Sequence, residues 1–245
     1  MDRARAERAT SFGRTATEYE RGRATYPEEA ARWLVGGSSR VVDLGAGTGK
    51  LTGALVALAV DVVALEPQHR MVSELRRAVP AALAACSVAE NTPVRSHWAE
   101  TVVVAQAFHW FDQGRAAPEI RRLLSPGGTL GLIWNVRDES VGWLAELTRI
   151  AGAENSARTR AGLDRLPGFE PFEYRHWRTS QMLDRDTLLA HVGSRSTVAT
   201  MGEPEQERVL DQVARLCESH PDLAGREKFE LPYETQAFRA RLEPG

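Results

Sequence analysis

Apolar runs alternate with helical patterns between about residue 30 and residue 150. Five apolar runs predict strands buried on both faces, in the stretches RVVDLG, DVVALEP, AALAACS, TVVVAQAF and TLGLIWNV. Segments with helical spacing lie between several of them, such as TGKLTGALVAL, where Leu51, Leu55 and Leu58 fall roughly on one face. Strands of this kind alternating with helices indicate a parallel sheet covered by helices on both faces.

The last third of the chain has a different pattern. FEYRHWRTSQ and KFELPYETQAF alternate like strands with one solvent-exposed face, and residues 184–219 between them read as helices. A breaker cluster, Ser125-Pro126-Gly127-Gly128, is expected to end the helix before the fifth strand. We therefore predict an α/β, Rossmann-like fold with a mostly parallel seven-stranded sheet, helices on both faces and a helical insertion at about 184–219.

Composition and charge narrow the class of protein. The chain has 245 residues and a formal net charge of -2, which gives no basic footprint for nucleic acid or an anionic membrane. No apolar run approaches the roughly 20 residues of a membrane helix. Cys86 and Cys217 lack metal-ligand spacing, and we expect both to be buried free thiols in a reducing compartment. We predict a cytoplasmic protein that binds no nucleic acid, membrane or metal; the oligomeric state stays open.

The stretch VVDLGAGTGKLT, residues 41–52, carries the main candidate for ligand binding. A triphosphate loop would need glycine and a hydroxyl where this chain has Leu44 and Leu51. The dinucleotide fingerprint would need a third glycine where Lys50 stands. The remaining pattern, G-x-G-x-G after a strand, predicts a tight turn into a helix in which the backbone approaches a ligand closely.

Residues that follow the predicted strands should lie at one edge of the sheet, where open parallel sheets bind ligands. Glu66 follows the second strand, about 20 residues after the glycines, where an acid can accept hydrogen bonds from ribose hydroxyls. Ala89 and Glu90 follow the third strand, beside the expected adenine. No basic group converges on the glycines to bind phosphate. The pattern therefore predicts a nucleoside without phosphates, such as S-adenosylmethionine.

The motifs VVDLGAGTGK, VVALEP, AQAFHWFD and LLSPGGTLGLIWN resemble those of the class I S-adenosylmethionine-dependent methyltransferases. YERGRATYP near the amino terminus and FELPYETQAFR near the carboxyl terminus resemble a bacterial subgroup that acts mostly on small molecules. The resemblance extends from about Phe12 to Arg239 and implies two parts. Residues 1–30 would form an amino-terminal helical lid, and residues 31–245 the methyltransferase domain.

The resemblance also implies a role for each matching residue. Gly45, Ala46 and Gly47 would border the methionine moiety, and Asp43 would act near its ammonium group. The other implied cofactor contacts are Glu66 on the ribose, Pro67 and Met71 on the adenine face, Ala89 and Glu90 at the adenine edge, Gln106 near the sulfur, and Tyr19 and Arg23 on the lid.

Three residues are candidates for the acceptor side. His109, after the fourth strand, is the candidate general base, although it could instead line the pocket or simply pack. Trp110 beside it could contact the substrate or the sulfonium, or belong to the core. Arg137, after the fifth strand, could bind a substrate carboxylate or cap a helix end.

These observations predict methyl transfer from S-adenosylmethionine to a small-molecule substrate. In-line displacement at the sulfonium methyl needs mainly alignment and desolvation, and a base only where the acceptor holds its proton tightly. Two other classes of function remain open: a protein that binds S-adenosylmethionine without methyl transfer, and an NAD-dependent oxidoreductase.

Overall fold

The computed structural model describes residues 25–152 and 166–244. Within these ranges seven strands occur: β1 Arg40–Leu44, β2 Asp61–Glu66, β3 Leu83–Cys86, β4 Ala99–Ala105, β5 Leu124–Arg137, β6 Glu173–Leu183 and β7 Phe229–Arg241. The helices there are α1 Glu28–Val35, α2 Lys50–Ala57, α3 His69–Ala78, α4 Gln113–Leu123, α5 Gly142–Ala151, α6 Arg185–Gly193, α7 Ser196–Ala199 and α8 Glu203–Ser219. A single 3-10 turn spans Phe108–Trp110 in the same part of the chain.

The described strands form one sheet in the order β3-β2-β1-β4-β5-β7-β6. β1 pairs in parallel with β2 and with β4, and β3 and β5 pair in parallel outside them. Leu44 at the end of β1 lies opposite Leu65 of β2, so the turns that follow these two strands come out side by side. The Rossmann-like α/β fold predicted from the sequence is confirmed.

The local sequence explains how the first helix is bounded. Pro27 precedes α1, and its fixed φ suits the start of a helix. Glu28 and Glu29 occupy the first turn, where negative charge interacts favourably with the helix dipole. Gly36 ends the helix in the left-handed region at φ 57°, and its N–H donates to the carbonyl of Arg32. The helix therefore ends at Val35, and β1 begins at Arg40 after a short turn.

One element differs from the sequence prediction. The breaker cluster at Ser125–Gly128 ends helix α4 as expected, but β5 already begins at Leu124 and runs through the cluster. The pairing of β4 with β5 shifts register between Ala99 and Thr101, which accommodates the extra residues as an irregularity at the strand's start. Proline and glycine there disturb the ladder locally without excluding the strand.

The described chain divides into two compact units with separate cores. The sheet unit contains residues 25–135, 166–177 and 235–244, and its core includes Leu34, Val41, Leu55 and Ile133. The helical unit contains residues 136–152 and 178–234. Its core packs side chains of α5, α6 and α8 together with β7, including Trp143, whose ring meets Phe229 edge to face at 5.5 Å. The helices predicted for 184–219 are therefore present.

Both cysteines are free thiols as predicted, but only one of them is buried. Cys217 is buried, whereas Cys86 is exposed and its Sγ donates to the carbonyl of Pro67 at 3.1 Å. Cys86 ends β3, one of the two edge strands of the sheet, which has a neighbour on one side only. Across 25–152 and 166–244, no helix is both long and apolar enough to cross a bilayer.

Candidate functional site

The glycine turn after β1 is held against β2 by backbone hydrogen bonds. The N–H groups of Gly45 and Ala46 both donate to the carbonyl of Leu65, at 2.8 and 3.1 Å. Gly45 adopts φ 69°, and a Cβ there would lie 2.7 Å from the Cβ of Ala107, so only glycine fits. Gly47 adopts φ 57°, but a Cβ there would meet nothing within 4 Å. The turn therefore packs closely on one side and faces open space on the other.

Glu66, the last residue of β2, joins this turn directly. Its Oε2 accepts from the N–H of Gly47 at 3.1 Å, and its Oε1 accepts from the N–H of Gln68 at 3.0 Å. The residue is only 5% exposed, and this burial raises the pKa of its carboxyl group against the lowering effect of the two backbone donors. Each oxygen has one described partner and room for another, since a carboxylate offers about four acceptor sites.

Asp43 is the second buried acid of the site. Its side chain is fully buried within β1, and its Oδ2 accepts from the hydroxyl of Thr52 at 2.7 Å. Burial raises the pKa of Asp43 to about 7; the Thr52 hydrogen bond lowers it, and the charge of Glu66 raises it further. The other oxygen, Oδ1, is buried and has no hydrogen-bond partner within 25–152 and 166–244. A cationic or hydrogen-bonding group of a ligand would satisfy it.

The residues proposed for the adenine end lie in the turns after β2 and β3. Pro67 is exposed, while Met71 and Ala89 are 4% and 6% exposed. Glu90 is half-buried, and its Oε1 accepts from the N–H of Asp112 at 2.8 Å, at the start of α4. Its carboxylate therefore links the turn after β3 to the start of that helix, in addition to any contact with adenine.

The loop after β4 carries the predicted catalytic and acceptor-side residues of the sheet unit. Gln106 has φ 56°, its N–H donates to the carbonyl of Ile133 at 3.0 Å, and its Nε2 donates to the carbonyl of Asn135 at 3.3 Å. His109 and Trp110 lie in the 3-10 turn, both half-buried, with ring centroids 4.8 Å apart. Phe108 between them and Gln106 is fully buried and anchors the turn.

Arg137 belongs to the helical unit. It is 3% exposed, and its Nη2 donates to the carbonyl of Gly152, just past the end of α5, at 3.2 Å. The buried Arg195 donates to the same carbonyl at 3.0 Å and to that of Ala151 at 3.2 Å. The contact of Arg137 with the end of α5 matches the helix-capping alternative that the sequence left open. Its role in binding a substrate stays a prediction. Tyr19 and Arg23 lie outside the described residues.

Two contributors to the site were not predicted from the sequence. Thr52 holds Asp43 and is fully buried on α2, in the same stretch of helix as the buried Leu51 and Leu55. A hydroxyl within the apolar face of a predicted helix is the signal that could have identified it. Asn135, on β5, contacts Gln106. Its one signal in the sequence is that an asparagine is unusual near the end of an apolar strand.

The site can thus hold a nucleoside with an amino-acid tail. Glu66 offers acceptors beside the glycine turn, the buried Oδ1 of Asp43 lacks a described partner, and Gly47 leaves space for a ligand. These features fit S-adenosylmethionine, whose ribose has two hydroxyls and whose tail has an ammonium group. They are compatible with a nucleoside site at the carboxyl ends of the strands of a Rossmann-like sheet.

Comparisons with known proteins agree with this class. Residues 42–132 match the model of a methyltransferase domain. The chain is 42% identical to an uncharacterized methyltransferase of Mycobacterium tuberculosis over 99% of its own length and 100% of that protein. It is 29% identical to an uncharacterized methyltransferase-like protein of Schizosaccharomyces pombe, covering 96% of each chain. A solved structure from Anaeromyxobacter dehalogenans, provisionally assigned as a type II methyltransferase, shares the fold with a TM-score of 0.63 and 22% identity, over 91% of this chain and 97% of that one.

The chain belongs to the class I S-adenosylmethionine-dependent methyltransferases. Its cofactor is accordingly S-adenosylmethionine.

Proposed function

We propose that this protein transfers the methyl group of S-adenosylmethionine to a small-molecule acceptor by in-line displacement. The observation that carries the proposal is the arrangement of two buried acids around an open glycine turn. Glu66 is bonded to Gly47, and one oxygen of Asp43 has no hydrogen-bond partner in the part of the chain that the structure describes. When bound, the cofactor supplies a methyl group on a positively charged sulfur that is already activated for displacement. The protein then has to bind, orient and desolvate.

Glu66 is the proposed ribose ligand. Its two oxygens are fixed by the N–H groups of Gly47 and Gln68, so the carboxylate is oriented before a ligand arrives. Asp43 is the proposed partner of the cofactor's ammonium group, directly or through a water molecule, because its Oδ1 is buried and has no hydrogen-bond partner among the described residues. Gly45, Ala46 and Gly47 would border the methionine moiety. Pro67, Met71, Ala89 and Glu90 would surround the adenine.

His109 is the proposed general base on the acceptor side. It would accept the proton that an O–H or N–H acceptor loses as the new bond to carbon forms. We propose that Gln106 orients the sulfur end of the cofactor and that Trp110 orients the acceptor. Arg137 is proposed to bind a carboxylate on the acceptor. The alternative for His109 is a pocket wall, since it lies in a turn anchored by the buried Phe108.

Charge and motif support a small acceptor. With a formal net charge of -2, the chain has no overall positive charge to attract the phosphates of DNA or RNA. The sequence AQAF after β4 also lacks the Asn/Asp-Pro-Pro-aromatic pattern that grips a flipped amino base. An NAD-dependent reaction is not favoured, because the family and the fold are those of methyltransferases. Binding of the cofactor without methyl transfer remains the alternative.

The test is incubation of the purified protein with methyl-labelled S-adenosylmethionine and a cell extract, followed by separation of small molecules from protein and nucleic acid. The proposal expects label in the small-molecule fraction together with an equal amount of S-adenosylhomocysteine. Label confined to macromolecules would contradict the small-molecule acceptor. Cofactor binding with no transfer to any fraction would favour the alternative.

A further inference from the structure

Asn135 joins three segments of the sheet unit. It lies near the end of β5 and is 5% exposed. Its Nδ2 donates to the carbonyl of Thr25 at 3.2 Å, and its Oδ1 accepts from the hydroxyl of Thr235 on β7 at 2.6 Å. Its backbone carbonyl accepts from Nε2 of Gln106 at 3.3 Å. One residue therefore bonds the approach to α1, the neighbouring strand and the loop after β4.

Gln106 connects Asn135 to the proposed cofactor site, because its side chain bonds to Asn135 and it is the residue proposed to lie beside the cofactor's sulfur. The N–H of Gln106 continues the parallel pairing by donating to Ile133, and its left-handed backbone then turns the chain away from the sheet. The side-chain bond to Asn135 is at the long end of the hydrogen-bond range, so a small shift of the Asn135 carbonyl would break it. The position of Gln106 is thus sensitive to how firmly Asn135 is held.

The side-chain hydrogen bonds of Asn135 hold the residue in place. Its donor and its acceptor are engaged by different segments, which fixes the amide in both position and orientation. Thr235 is fully buried, where breaking its bond to Asn135 is costly, and this discourages rearrangement. Beyond Gln106, the same loop continues into the turn that carries His109 and Trp110.

We propose that Asn135 is a positioning residue for cofactor binding: its side-chain bonds to Thr25 and Thr235 hold its carbonyl where it fixes Gln106 and the following loop. The proposal rests on the role proposed above for Gln106 beside the sulfur end of the cofactor. Asn135 itself is not required to touch the cofactor.

The chain offers a matched control. Thr101 is, like Thr235, a fully buried sheet threonine, and its hydroxyl bonds to Ser38 at 2.8 Å. It lies near the start of β4, whereas Gln106 follows the end of that strand. Thr235→Val and Thr101→Val each replace a buried threonine hydroxyl by a methyl group and keep the side-chain shape. General loss of stability should affect both variants alike; loss of positioning should affect only Thr235→Val.

The experiment measures S-adenosylhomocysteine binding by calorimetric titration and hydrogen exchange across residues 104–112 in the ligand-free full chain. We expect Thr235→Val and Asn135→Asp to weaken binding about fivefold or more and to speed exchange. Asn135→Asp retains the acceptor for Thr235 but places an oxygen against the Thr25 carbonyl. Thr235→Ser, which keeps the hydroxyl, and Thr101→Val should bind like the unmodified protein.

Two results would overturn the proposal. One is an equal loss of affinity in Thr101→Val and Thr235→Val, which would make the effect one of general stability. The other is unchanged exchange across residues 104–112 in both Asn135→Asp and Thr235→Val. Failure of the unmodified chain to bind S-adenosylhomocysteine would instead count against the proposed function, while the exchange comparison would still test the positioning role.

Discussion

Gly47 donates its backbone N–H to Oε2 of Glu66 at 3.1 Å, which links the glycine turn after β1 to the acid that ends β2. The two parts of the sequence motif, 19 residues apart, are therefore one structural unit. Because the other oxygen of Glu66 is fixed by Gln68, the carboxylate is oriented independently of any ligand. Removing it should disturb both ligand contacts and the turn itself.

Glu66→Ala should weaken binding of S-adenosylhomocysteine about tenfold or more. Two charge-assisted hydrogen bonds to the ribose would be lost, each contributing about 1.5–3 kcal/mol before compensation. Calorimetric titration measures the change. Glu100→Ala is the control, because Glu100 also accepts a backbone N–H, that of Ser39 at 2.7 Å, but belongs to the start of β4. Equal affinities of Glu66→Ala and the unmodified protein would exclude Glu66 as the ribose ligand.

Gly47→Val should abolish cofactor binding while the protein still folds. The built Cβ meets nothing within 4 Å, so the side chain would occupy the open space that the cofactor needs. The left-handed backbone adds strain of about 1–3 kcal/mol for any residue other than glycine. Gly127→Val is matched, since Gly127 has φ 72° and equally open surroundings, but lies in β5 near its start. Both variants should lose similar thermal stability, and normal binding by Gly47→Val would refute the assignment.

The ligand-free protein should become less stable as the pH rises towards neutrality. The pKa of Asp43 is about 7 in the folded state against an ordinary value of 3.8, so the folded state binds more protons between these values. Its contribution is therefore complete below about pH 4 and is lost as the pH rises through about 7. The raised pKa of Glu66 acts in the same direction. Thermal unfolding at several pH values should show a flatter dependence in Asp43→Asn than in the unmodified protein. An equally steep dependence in that variant would contradict the prediction.

Cofactor binding should also release protons near pH 7. If an ammonium group approaches Asp43, it favours the carboxylate and lowers the pKa from about 7. Titration of S-adenosylhomocysteine in buffers of different ionisation enthalpy measures the released protons. The release should be smaller in Asp43→Asn. An unchanged release in that variant would mean that the ammonium group binds elsewhere.

His109→Gln should retain cofactor affinity but reduce methyl transfer to the acceptor fraction by about a hundredfold, the lower range for general-base catalysis. Glutamine keeps a polar side chain of similar length but cannot accept the proton. Label incorporation from the extract reaction, compared at saturating cofactor, gives the ratio. Transfer within about twofold of the unmodified protein would assign His109 to the pocket wall or to packing.

The sheet and the glycine turn could be predicted because their signals are local. Apolar runs identified the five strands β1 to β5, and the glycine spacing identified the turn. Contacts between distant residues gave no such signal: Asn135 and Thr25 are 110 positions apart, and the motifs that contain them do not show that the two residues meet. The bond of Thr52 to Asp43 was missed for a related reason, because periodicity assigns a residue to a face without naming its partner. Exposure of Cys86 depended on β3 being an outer strand, which an apolar run alone does not reveal.

The most direct test of the cofactor assignment is a crystal structure of the protein with S-adenosylhomocysteine. We expect ribose hydroxyl oxygens at hydrogen-bond distance, about 2.6–3.0 Å, from the carboxylate of Glu66, with the methionine moiety beside Gly47. The ligand's ammonium group should face Oδ1 of Asp43, directly or through one water molecule. A nucleoside bound away from Glu66, with the space beside Gly47 unfilled, would contradict the assignment of the cofactor site.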